Sequence, residues 1–103
     1  MQHIGIDEYV IDVLMPDLVG HDRSPAAFLV YIFLWAELFR TENKQIAVSL
    51  QRLAEGTGLS KSAVQAALNR LKRRGLVQVT KNSPTAIPRY ALVRHWIRRR
   101  AER

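Results

Sequence analysis

The chain is expected to fold as one mainly α-helical domain with a small β-hairpin, preceded by an extra helical segment at its N-terminus. Three observations predict this. Apolar residues recur at helical spacing in successive stretches, several opened by serine and closed by glycine. Two β-prone runs near the C-terminal end flank a proline-containing loop. A length of 103 residues allows a single modest core and no more.

The elements follow in order. Ile6 to Leu14 carries apolar residues at 6, 10, 13 and 14, with Asp7 and Glu8 favourable at a helix N-terminus. Met15-Pro16 is expected to end or bend this helix, and Asp17 to Arg23 reads as a connector. Ser24-Pro25 opens a second helix, Ala26 to Arg40, because serine caps and proline suits the first helical position. That helix is apolar almost all round, so it needs cover on most sides, and a second chain is the natural source of part of it. Phe28, Ile32, Trp35 and Phe39 on it read as core or dimer contact.

A polar turn, Thr41 to Lys44, leads to a short strand at Ile46-Ala47-Val48. Ser49 caps a helix through Glu55, with Leu50, Leu53 and Ala54 on one face, and Gly56-Thr57-Gly58 breaks it. Ser60 caps the next helix through Arg74, which Gly75 ends. Within it Val64, Ala67, Leu68 and Leu71 form an apolar stripe. Leu76–Thr80 and Arg89–Val93 are the β-prone runs, joined by the Lys81–Pro88 loop, and His95–Arg103 is a basic tail.

Charge is divided along the chain. Met1 to Glu55 holds four Lys/Arg against eight Asp/Glu, a net −4; Gly56 to Arg103 holds twelve against Glu102 alone, a net +11. An acidic half and a strongly basic half point to a polyanion partner on one face, or else to a solvated basic surface. The absence of cysteine excludes disulfides and thiolate metal sites and fits a reducing cytoplasm. The first residues are acidic, which does not suit a signal peptide. The apolar run Ala26–Ala36 is too short for a membrane span.

The stretch from Leu50 to Asn69, LQRLAEGTGLSKSAVQAALN, carries the functional information. Ala54 is small where two helices would cross, Gly58 suits a tight turn of positive φ, and Val64 can anchor one helix on the other. This arrangement resembles the helix-turn-helix, and the continuation Leu71-Lys-Arg-Arg-Gly-Leu-Val-Gln-Val79 resembles the join from recognition helix to wing in the winged family, shared by MarR-, ArsR- and GntR-type bacterial regulators. The resemblance spans about Ile46 to Val93 and extends to the Ser24 helix as the first helix of the motif. It departs from the GntR type in the wing, where Pro84 and Pro88 replace the usual glycines. The implied organisation is a helical extension over 1–23, a winged helix-turn-helix over 24–93 and a tail over 94–103.

The resemblance implies a transcription regulator that binds double-stranded DNA, with helix 60–74 in the major groove. With the apolar stripe inward, Lys61, Ser62, Gln65, Asn69 and Lys72 face outward. Gln65 and Asn69 suit adenine edges, and Lys61 suits guanine or phosphate. Ser60 and Ser62 suit phosphates at the helix start. Arg70, Lys72, Arg73 and Arg74 form a basic patch for the DNA backbone, and Lys81 and Arg89 flank the wing loop. Arg98-Arg99-Arg100 either adds phosphate contacts or folds as a terminal helix, with Trp96 and Ile97 anchoring it to the core or to a second subunit. A homodimer through Ala26–Phe39 and the N-terminal segment would present two such helices about one DNA turn apart.

Two other readings stand beside this one: a DNA-binding factor in replication or plasmid maintenance, and a winged-helix protein–protein module. No catalytic constellation or phosphate-cradling loop is found, and His3, His21 and His95 lack metal-ligand spacing, so neither an enzyme nor a cofactor is expected.

Overall fold

The computed structural model describes residues 2–97. The elements are two π-helical segments, Val10–Leu14 and Pro16–His21, then α1 (Pro25–Thr41), β1 (Ile46–Ala47), α2 (Leu50–Thr57), α3 (Lys61–Arg73), β2 (Val77–Thr80) and β3 (Arg89–Leu92). The three strands form an antiparallel sheet in the order β1-β3-β2.

The N-terminal region departs from expectation. Asp17–Arg23 is not a connector, because helical structure runs on past Pro16 to His21. Its turns are wide: the Met15 N–H donates to Val10 O, and the Asp22 N–H to Asp17 O at 2.8 Å. Proline lacks an N–H, and its ring clashes with the carbonyl four residues back in an α-helix. A wider turn relieves that clash and lets the chain continue. The widening also selects which residues face inward. Val10, Leu14 and Leu18, four apart, are buried, whereas Ile6 and Val13 of the expected face are exposed.

The caps behave as their residue types dictate. Ser24 Oγ accepts from Ala27 N at 3.3 Å, Ser49 Oγ from Arg52 N at 3.1 Å and Ser60 Oγ from Ala63 N at 3.1 Å. Gly58 takes φ +79° at the end of α2, and Gly75 takes φ +68° after α3. Gly56, by contrast, does not break α2, which runs on to Thr57. The Phe33 ring of α1 lies directly on Gly56, and a Cβ there would fall 2.1 Å from Phe33 Cε2. The glycine is a contact point between α1 and α2, not a helix stop.

Helix α1 is the hub of the core. Ala27, Val30, Tyr31 and Leu34 are fully buried, and Phe28 and Trp35 nearly so. The cover that its composition demands comes largely from within the chain, with Val10, Leu14 and Leu18 among the buried residues of the same cluster. Leu53 of α2 and Val64, Ala67, Leu68 and Leu71 of α3 complete it, with Leu76, Val77 and Tyr90 from the sheet end. Ile32 is half-buried, and Phe39 is 47% exposed. Within the described residues, no helix is long and apolar enough to cross a membrane.

Candidate nucleic-acid interface

Helix α3 is strongly two-sided. Val64 and Leu71 are fully buried and Ala67 and Leu68 nearly so, fixing the rotation of the helix about its axis. That rotation turns Lys61, Ser62, Gln65, Asn69, Lys72 and Arg73 to solvent. Ser60, also exposed, holds the helix start and lies 3.2 Å from Ser62 through the two hydroxyl oxygens. Gln65 and Asn69, one turn apart, are linked: Gln65 Nε2 donates to Asn69 Oδ1 at 3.4 Å. Ala66 shares the exposed face. Charge and hydrogen-bonding capacity do not single it out in the sequence; it adds a small apolar surface beside Gln65.

Arg70 is half-buried on the flank of α3, and its positive charge helps hold the Asp22 carboxyl low. Arg74 leaves the expected basic patch. As the C-cap of α3 it turns back to the N-terminal segment: Nη1 donates to Asp22 Oδ1 at 3.0 Å and Oδ2 at 3.1 Å, and Nη2 pairs with Asp17. The Asp22 carboxyl lies below the ordinary aspartate range. The hydrogen bond from His21 is the largest cause; burial opposes it, and the Arg74 and Arg70 charges add to it. Asp17, His21 and Asp22 bring ligand-type atoms within 4.8 Å of one another, a grouping not anticipated from the spacing of the histidines. The Arg74 guanidinium already pairs with both carboxylates, its single positive charge offsetting half of their combined charge.

The wing is the β2–β3 hairpin. Val79 pairs with Tyr90 and Thr80 with Arg89, while Ala47 of β1 pairs with Arg89 from the other side. Arg89 and Lys81 are exposed at the two ends of the loop. Lys81 Nζ reaches across it to Pro84 O at 3.1 Å. Among the described residues, Lys61, Arg70, Lys72, Arg73, Lys81 and Arg89 form no ion pair, whereas Arg40, Arg52, Arg74 and Arg94 all do. The unpaired cations thus include every basic residue of α3 and both wing ends.

The segment after β3 is tied to the N-terminus. Asp7 Oδ2 accepts from Arg94 Nη2 at 2.8 Å, Arg94 Nε at 3.1 Å and Trp96 Nε1 at 2.9 Å, and Trp96 stacks on Tyr9 with ring centroids 4.5 Å apart. Trp96 therefore anchors to its own chain, while Ile97 remains 44% exposed. The Arg98–Arg100 run lies outside the described residues.

Three helices, a glycine turn between the second and third, and a sheet in which the strand before α2 pairs with the second wing strand define a winged helix-turn-helix protein. The family model described as MarR family, a family of winged-helix regulators, matches residues 38–86, from the end of α1 into the wing loop. No curated protein and no solved structure matches the chain.

Proposed function

We propose that this protein is a transcription regulator that binds double-stranded DNA sequence-specifically, with α3 in the major groove. The observation that carries the reading is the division of α3: one face wholly committed to the core, the other presenting Lys61, Ser62, Gln65 and Asn69 with no carboxylate partner among the described residues. Gln65 and Asn69 supply the donor–acceptor pairs that adenine edges require, and Ala66 an apolar contact. Ser60, Ser62, Lys72, Arg73, Lys81 and Arg89 supply phosphate contacts, with Arg70 at the margin. The role is binding, not catalysis, and a cytoplasmic setting suits a cysteine-free regulator.

Selection of bound sequences from a random duplex library at physiological salt tests this. One enriched site is the expected result, with Gln65→Ala and Asn69→Ala relaxing its sequence more than they weaken binding. Selection of the same site by both variants would reject this reading face, and a pool with no enrichment would reject sequence-specific binding.

A homodimer is part of the proposal. Leu29 of α1, with Ile11, Val13 and Val19 of the N-terminal segment, leaves large apolar side chains 37–45% exposed, which suits a second copy as partner. Light scattering at micromolar concentration should give the dimer mass; a monomer mass removes this part.

A further inference from the structure

The wing loop has an unusual composition for a surface that approaches a polyanion. Between Lys81 and Arg89 it reads Asn-Ser-Pro-Thr-Ala-Ile-Pro, with no charge. Ile87 within it is 58% exposed, more than any other large hydrophobic side chain among the described residues. Bonds within the hairpin hold the loop in shape. Besides the Lys81–Pro84 bridge, Ala86 N–H donates to Ser83 O at 3.1 Å, and Val48 N–H donates to Pro88 O at 3.2 Å, fastening the loop's end to the strand that leads into α2. Pro84 and Pro88 fix their own φ angles. The isoleucine is thus presented by a braced loop that has little conformational freedom to lose on binding.

Charge selects the partner. From Gly56 to Ile97 the chain has no Asp or Glu, and Lys81 and Arg89 stand at the two ends of the loop without ion-pair partners among the described residues. A positive rim around an apolar tip fits the minor groove of a duplex, whose phosphates flank base edges into which isoleucine and proline can wedge.

We propose that the wing acts as an apolar wedge: Ile87 enters the minor groove beside the site read by α3, partly unstacks a base step and bends the duplex, while Lys81 and Arg89 hold the phosphates on either side. This rests on the DNA-binding reading. Sequence preference at the flank would then follow deformability, with pyrimidine–purine steps favoured at positions where no side chain reads an edge.

The test is resonance energy transfer across an end-labelled duplex of about 30 base pairs carrying the selected site. At saturating wild-type protein, transfer rises, reporting a bend of the order of 20–90°. Ile87→Ala, on an exposed side chain, folds normally, binds about tenfold more weakly and leaves the saturated duplex nearly straight. Ile87→Arg regains affinity with a steeper salt dependence but no bend. A straight wild-type complex overturns the wedge and leaves DNA binding intact, as does an Ile87→Ala complex bent like the wild type. Failure of the wild type to bind any selected duplex removes the underlying reading and the wedge with it. Loss of self-association in Ile87→Ala with unchanged bending reassigns the tip to a second copy of the chain.

Discussion

Arg74, the residue that caps α3, holds Asp22 in a two-pronged ion pair, its Nη1 lying 3.0 and 3.1 Å from the two carboxylate oxygens across 52 positions of sequence. The Asp22 side chain is only 4% exposed, so little water is available to replace the guanidinium. The pair, with Asp17 as a second acceptor, joins the N-terminal segment to the end of α3.

Arg74→Ala should therefore lower folding stability by about 2 kcal/mol, less than a fully buried pair costs because the arginine is partly solvated. Urea unfolding measures this. The slope of DNA affinity against salt should not change, since Arg74 is engaged within the protein. A slope reduced by about one would show that this arginine contacts phosphate after all.

Stability should fall in acid. Asp22 is held low chiefly by the His21 hydrogen bond, with burial opposing and Arg74 and Arg70 assisting. At Asp7 burial pushes the carboxyl up, but the Trp96 and Arg94 hydrogen bonds outweigh it and the net direction is down. A carboxyl depressed on folding contributes stability above its unfolded value, near 3.9, and loses it as pH drops through the folded value. Melting temperatures should hold steady from pH 7 to about pH 5 and decline below about pH 4. Asp7→Asn and Asp22→Asn should each flatten the decline, and an unchanged curve in both variants would refute the assignment.

The Gly56–Phe33 contact makes a two-sided prediction. Alanine is worth about 1 kcal/mol over glycine within a helix, but here its Cβ would overlap the Phe33 ring, an overpacking that costs about 1–3 kcal/mol. Gly56→Ala should thus be neutral to destabilising in the wild type. In a Phe33→Ala background the same change should stabilise by about 1 kcal/mol. Thermal melts of the four proteins give the coupling, and additive effects would mean the ring does not press on this glycine.

Tyr31 is fully buried, and its hydroxyl has no hydrogen-bond partner among the described residues. Burial pushes that hydroxyl far above its ordinary titration range. An unsatisfied buried hydroxyl opposes folding, so Tyr31→Phe should raise stability by about 1 kcal/mol. A lower melting temperature for the phenylalanine variant would contradict this.

Much of the architecture was legible because it rests on local chemistry. The serines at 24, 49 and 60 cap helices, Gly58 and Gly75 take positive φ, and the Val64–Leu71 stripe turns inward, all as their residue types and spacing require. The outward set on α3 followed from that stripe, since burying one face of a helix fixes the other. Local signals misled after Pro16 and at Gly56. A proline reads as an end or a bend, yet the segment beyond it, read as a connector, stays helical because the turns widen; a glycine reads as a breaker, yet here a neighbouring ring demands it.

What the sequence determined by itself was the order of elements, the division into acidic and basic halves, and the identity of the side chains that α3 turns outward. These depend on spacing and composition within a few turns of chain. Tertiary structure decided how the charges are shared: Arg74 is drawn to Asp17 and Asp22 and Arg94 to Asp7, while Lys61, Lys72, Arg73, Lys81 and Arg89 form no ion pair among the described residues. It also decided that the apolar sides of α1 are covered mostly by their own chain. Ion pairs and core contacts between residues 50 or more positions apart leave no periodic trace, because they depend on how the folded segments meet in space.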